Sequence, residues 1–320
     1  MKKVGIQRTV GTFLAVSFIF FSLSFGQTNQ KPLTGKISIS GAWALYPMVL
    51  KWAEEFQKVH PGVKIDVQAG GAGKGIADVL AAMVDFGMVS RDVHAQEMEK
   101  GALPIAVTKD GVVATISEKN PFLNEILKKG LKKSDFLELW ITGKFTTWGQ
   151  VLGSQARAAV HVFTRSDACG AAETWAAFFG KRQEDLGGVG VYGDPGLADA
   201  IRRDVLGIGY NNINFAYDAK SLRPVSGIAI VPIDLDDNGK IDARESVYAT
   251  RDDITQAIAR NIYPSPPARD LYLVAKGKPK DGAAIEFLRW VLTDGQKYVS
   301  ETGYIPLSQE KLAEGLLKLK

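Results

Sequence analysis

Cysteine is nearly missing from this chain of 320 residues: Cys169 is the only one. A single thiol excludes an internal disulfide, and no cysteine stands behind the N-terminal leader to carry a lipid anchor. Histidine is scarce as well. His60, His94 and His161 are dispersed and show no metal-ligand spacing. Beyond the first 26 residues no apolar run approaches the length of a membrane span. The chain has no internal repeat and no low-complexity linker. A strong charge bias is absent too. The formal charge of +4 includes three cations of the leader, Lys2, Lys3 and Arg8, which has no acidic residue, so the rest of the chain stands at +1. A nucleic-acid partner is therefore not expected.

What the N-terminus does contain reads as a secretory signal. A basic stretch precedes an apolar core from Thr12 to Leu23, and Ser24-Phe25-Gly26 offers a small-residue cleavage site before Gln27. Residues 1–26 are expected to be a cleavable signal peptide that delivers a periplasmic or otherwise extracytoplasmic protein. The alternative is a retained anchor, which the short, early apolar run disfavours. A length of 320 residues favours two domains over one.

The chain is organised around Phe163-Thr164-Arg165-Ser166-Asp167-Ala168-Cys169-Gly170-Ala171-Ala172-Glu173-Thr174. A short apolar strand from Val160 runs into a polar turn and then a helical pattern that stops at Gly180. Free backbone N–H groups and the positive helix end face outward at such a turn, with Arg165 beside them, which is the physics of an anion site. An ordinary polar turn with a solvated Arg–Asp pair is the alternative. Similar turns occur earlier. Lys36–Ser40 alternates as a half-buried strand, and Gly41-Ala42-Trp43-Ala44-Leu45-Tyr46 leads into a helical stripe of Val49, Trp52, Phe56 and Val59. Val63, Ile65 and Val67 form a second strand before the Ala69–Gly75 turn and a short helix through Ile76, Val79, Leu80 and Met83. Asp85–Arg91 is a third strand with a polar tip. Three strand–turn–helix units imply a parallel α/β sheet, with ligands outside the carboxyl ends of the strands.

These segments resemble the periplasmic phosphate-binding proteins of ABC importers. The resemblance is carried by Gly41-Ala42 with Tyr46-Pro47 and Lys51-Trp52-Ala53, by the Gln68–Ile76 glycine turn, by Asp85-Phe86-Gly87, and by Arg165-Ser166-Asp167 with Gly170. Arg269-Asp270-Leu271-Tyr272-Leu273 and the stretch Gly295-Gln296-Lys297 through Gly303–Leu307 extend it, so that it covers about residues 36 to 310 in order. It implies a two-lobed α/β binding-protein fold of type II, each lobe a mixed sheet flanked by helices. Lobe I would comprise 33–108 and 272–320, and lobe II 109–271, joined by short crossing strands. Strands expected at Ile105–Thr108 and Val112–Ile116 make one crossing. The resemblance also implies an anion site at Ala44, Leu45, Tyr46, Ala72, Gly73, Ser90, Arg91, Arg165, Cys169, Gly170 and Ala171. Several of these depart from the family, which has hydroxyl donors where Leu45, Ala72 and Ala171 stand, a serine at Cys169 and an aspartate at Ser90. Arg165, its partner Asp167 and the backbone N–H groups carry over, and Arg91 is expected to add a second cationic donor. Phosphate or a related tetrahedral oxyanion is the implied ligand, with weaker discrimination against sulfate, and an ABC importer permease the implied partner of a monomer.

Asp234-Leu235-Asp236-Asp237-Asn238-Gly239-Lys240-Ile241-Asp242-Ala243-Arg244-Glu245 satisfies the calcium-loop pattern at every diagnostic position. Asp234, Asp236, Asn238 and Asp242 offer side-chain oxygens, Lys240 its carbonyl, and Glu245 a bidentate carboxylate. Gly239 takes the sharp turn and Ile241 the aliphatic position. A structural Ca2+ is expected here; the alternative is an acidic hairpin, since Asn-Gly is itself a turn signal. The flanks are strand-like before the loop and not clearly helical after it. Three functions follow. The first is a solute-binding protein for an importer and not an enzyme; the second is a surface or sensory module on the same bilobal fold. The third is an enzyme using Cys169, whose helix start favours a thiolate but which has no evident paired base.

Overall fold

A computed structural model describes residues 1–3, 5 and 32–320. The expected signal peptide lies, apart from residues 1–3 and 5, outside the described residues. The chain divides into Met1–Pro32 and Leu33–Lys320, and only the second is described below. Among the described residues no helix is long and apolar enough to cross a membrane.

Strands β1 (Thr34–Gly41), β2 (Gly62–Ala69) and β3 (Phe86–Val89) alternate with helices Tyr46–Val59 and Ala72–Leu80. β1 pairs in parallel with both β2 and β3, as the three strand–turn–helix units require. Pro47 sits in the first turn of its helix, where its missing N–H costs nothing. Met48, Val49, Trp52 and Phe56 bury one face of that helix, but Val59, its last residue, is exposed. Met83 is exposed for a similar reason: the second helix stops at Leu80, before the apolar spacing reaches it.

β4 (Ala102–Ser117) is one strand of 16 residues, where two were expected. Ladder pairing continues through Lys109-Asp110-Gly111, which lies between the two expected strands. Beyond it come β5 (Leu131–Lys132), β6 (His161–Arg165), β7 (Val189–Val191), β8 (Gly207–Asn212), β9 (Ile228–Ile230), β10 (Ile233–Asp234) and β11 (Ala268–Lys276). The main sheet runs β2-β1-β3-β11-β4-β8-β6-β7, with β9 also on β4 and a separate β10-β5 pair. β11 is antiparallel to both β3 and β4, and its register with β4 shifts between Leu271 and Tyr272. The first half of β4 pairs with β11, and its second half with β8 and β9.

The buried side chains form two clusters. One contains Ile37, Trp52, Phe56, Phe86, Ile105, Val107, Leu273 and Phe287. The other contains Val112, Ile116, Phe136, Trp140, Trp175, Ile208 and Tyr210, together with Ile305 from near the C-terminus. β4 passes from the first to the second. Trp175 stacks on Tyr210 with ring centroids 5.6 Å apart and meets Trp140 edge-on at 5.4 Å; such pairs add about 0.5–1.5 kcal/mol each beyond the area they bury. Tyr210 then exposes its hydroxyl to β6, bonding Thr164 Oγ1 at 2.8 Å and accepting from the Arg165 amide at 3.3 Å. The core thus fixes the backbone from which Arg165 projects.

Candidate functional site

Arg165 ends β6, and its side chain is fully buried. Nε and NH2 donate to the two oxygens of Asp167 at 2.8 and 2.6 Å, and NH1 donates to Asp194 Oδ2 at 2.6 Å. Burial works against the guanidinium charge, but Asp194 and Asp167 outweigh it and hold Arg165 protonated. Asp194, at the start of the helix Gly193–Arg203, also accepts from Asn212 Nδ2 at 2.7 Å. Asn212 Oδ1 in turn accepts from Arg269 NH2, and Arg269 stands 3.8 Å from Asp110. Asp194, Asn212, Asp110 and the pairing of Arg269 escaped the sequence reading. Gly193-Asp194-Pro195 reads locally as a helix start, and the other contacts join strands remote in the chain.

The two lobes touch around this network. A Cβ on Gly170, the first residue of the helix Gly170–Phe178, would collide with the Ser90 hydroxyl and carbonyl at the end of β3. The Gly73 amide donates to the Ala168 carbonyl at 3.0 Å. Trp43 lies against Gly193, 3.5 Å from where a side chain would begin. Ala44, Leu45, Ala72, Ser90, Arg165, Cys169, Gly170 and Ala171 are all buried here. Ala72, Gly170 and Ala171 occupy the first turns of their helices, where N–H groups have no intrahelical acceptor.

Several expected donors are committed elsewhere. The Tyr46 amide is shared between the Ala42 and Trp43 carbonyls at 3.2 Å, and the Leu45 amide also bonds Ala42. The Cys169 amide donates to Gln183 Oε1 at 3.1 Å. Arg91 is not brought to Arg165: its guanidinium forks onto the Glu97 carboxylate at 2.9 and 2.7 Å. A glutamate one turn into the neighbouring short helix captures it, so Arg91 is not the second cationic donor expected. The Cys169 thiol caps its helix, accepting from the Ala172 amide at 3.4 Å. Burial, the largest influence, pushes it up to about 12, opposite to the thiolate that the alternative of a Cys169-dependent enzyme needs. Cys169 is a buried thiol packed into the second cluster.

The calcium-type loop lies apart from this network. Carboxylate oxygens of Asp234, Asp236 and Glu245 lie within 4.8 Å of one another. Asp234 and Glu245 are buried and Asp236 is exposed. The Gly239 amide donates to Asp234 Oδ2 at 2.8 Å, and the Leu235 amide to Glu245 Oε1 at 2.6 Å. Asp237 and Gly239 both adopt positive φ, 60° and 77°. Asn238 Oδ1 accepts from the Lys240 amide, and its Nδ2 donates to Asp236. Asp242 caps its own turn through the Arg244 amide and stands outside the three-carboxylate group. Among the described residues no cationic side chain pairs with Asp234, Asp236 or Glu245.

A family model described as a PBP superfamily domain matches residues 26–295. The phosphate-binding protein PstS of Xylella fastidiosa is 26% identical over 307 residues, covering 85% of this chain and 81% of that protein. PstS of Staphylococcus aureus is 24% identical, covering 92% and 85%. The crystal structure of a putative phosphate ABC transporter substrate-binding protein from Clostridium perfringens, with bound phosphate, superposes with a TM-score of 0.70 at 23% identity, over 86% of this chain and all of that one.

Proposed function

The chain belongs to the PBP superfamily, and from that membership we propose that it is an extracytoplasmic solute-binding protein that captures phosphate, or a related tetrahedral oxyanion, for an ABC importer. The observation that carries the reading is the convergence on the inter-lobe contact of Arg165 and of two helix N-termini, at Ala72 and Gly170. Orphan amides and helix dipoles favour an anion there. Contact between the lobes is the means of excluding water, and an anion out of water must be fully hydrogen-bonded. The PstS relatives support phosphate as the ligand, and the neighbour from Clostridium perfringens, named a putative substrate-binding protein of a phosphate ABC transporter, supports a permease as the partner. Closure of the lobes would be the signal that the permease reads. Isothermal titration tests the reading. Phosphate should bind the full chain, and Arg165→Ala should weaken it by roughly 2–5 kcal/mol, the cost of leaving a buried charge partner unpaired. Unchanged affinity in that variant would remove Arg165 from the site.

The loop 234–245 supports a structural Ca2+. Three carboxylates gathered without a cationic partner repel one another, and the oxygens of Asp234, Asp236 and Glu245 suit a hard cation. When bound, the ion would supply charge compensation and tie the loop ends together.

A further inference from the structure

Five of the six tryptophans belong to the cores. Trp52, Trp140, Trp148 and Trp175 are fully buried and Trp290 is 7% exposed, all within the two apolar clusters. Trp43 belongs to neither. It is half-buried, in the turn between β1 and the helix Tyr46–Val59, with its ring edge-on to Tyr46 at 6.4 Å. From that turn of lobe I the indole reaches across to lobe II. Its Cε2 and Cζ2 atoms lie 3.5 and 3.6 Å from where a side chain on Gly193 would begin.

Gly193 and Asp194 together hold both acidic partners of Arg165. The Gly193 amide donates to Asp167 Oδ1 at 3.1 Å, and Asp194 Oδ2 accepts from the guanidinium at 2.6 Å. Gly193 has a φ of 73°, a conformation in which glycine is favoured. With no side chain there, the peptide is open to the ring. The indole therefore rests, from one lobe, on the dipeptide that fixes the arginine of the other.

This contact is opposed as well as favoured. Covering a flat apolar ring removes it from water, which stabilises the contact. Nε1, bonded to the Cε2 atom at Gly193, is buried with no acceptor, and a buried donor left open is costly. An opposed contact of this kind is sensitive to any ligand that favours one arrangement of the lobes.

We propose that Trp43 is a positioning residue that couples oxyanion binding to lobe closure, its ring seated on Gly193 when the lobes meet and released to water when they part. The proposal rests on the reading of the inter-lobe contact as an anion site. It adds the residue by which lobe I senses the state of Arg165.

Titration of the full chain with inorganic phosphate, followed both by calorimetry and by tryptophan emission, tests this. Wild-type emission should change on saturation, and Trp43→Phe should lose that change because the other five indoles stay within their cores. Trp43→Ala should weaken phosphate at least about tenfold by lowering the closed fraction. Its phosphate-free melting temperature should match the wild type. Trp43→Phe keeps a ring and should bind more tightly than Trp43→Ala. An emission change that survives in Trp43→Phe, or is missing from a wild type that binds phosphate, overturns the proposal. Equal affinity in the two variants, or wild-type affinity in Trp43→Ala, does so as well. A lowered melting temperature in Trp43→Ala would identify ordinary packing and also overturn it. In each of these cases calorimetric binding by the wild type leaves the broader reading standing; no phosphate binding by the wild type overturns both.

Discussion

Asp110 is fully buried in β4, and burial, only partly offset by Arg269 and the Gly111 amide, pushes it up to about 7 from an ordinary 3.8. The native state therefore holds a proton that the unfolded chain releases between those values. Stability from this group is fully present below about pH 4 and is lost as pH rises through about 7. Thermal melts from pH 4 to 8 should fall with rising pH in the wild type, and Asp110→Asn should flatten that slope. An identical slope in the variant would show that Asp110 titrates as it does in water. Arg165 and Asp167 were legible because they share one turn. Asp110 and Arg269 were not, since nothing local marks a strand-interior aspartate as the partner of an arginine on another strand. Arg91 misled the reading: its place after Ser90 suggested the anion, but Glu97, six residues on, is a closer partner.

At the scale of elements, periodicity exposed β1 to β3 and their helices because each buries a face whose spacing matches its secondary structure. It failed at helix ends, where Val59 and Met83 kept the spacing after the neighbouring element had run out. The loop 234–245 was legible for another reason, since its residue types are dictated position by position. β10 precedes it and the next helix begins only at Arg251, so the loop is not framed by two helices. The Ile241 amide instead bonds the Lys128 carbonyl at 2.9 Å, tying the loop to the body of the protein. Calcium should therefore raise the melting temperature, by an increment equivalent to about 2.7 kcal/mol at a hundredfold excess over Kd. Chelator should reverse the rise and Glu245→Gln should abolish it, with phosphate affinity little changed. Melting that ignores both calcium and chelator would identify an acidic hairpin.

For the whole molecule, the approach of Gly170 to Ser90 is the tightest test of lobe contact. Gly170→Val puts branched carbon where the Ser90 backbone and hydroxyl now lie, and should prop the lobes apart without touching either core. Small-angle scattering should report a larger radius of gyration, and phosphate affinity should fall in proportion to the closed fraction that remains. A fall of at least about tenfold corresponds to ~1.4 kcal/mol. Wild-type dimensions with wild-type affinity would show that this contact has no part in closure.

The place of β11 between β3 and β4 has a consequence for how the protein is made. Ribosomes deliver the N-terminal residues first, so β1 to β3 emerge long before residues 268–276 exist. Until then β3 and β4 each present an unpaired edge, and the sheet of the first lobe has a missing central strand. A nascent chain built this way stays unfinished almost to its last fifty residues. The same delay makes a chain truncated before β11 a source of exposed strand edges and aggregation, not of a smaller working lobe.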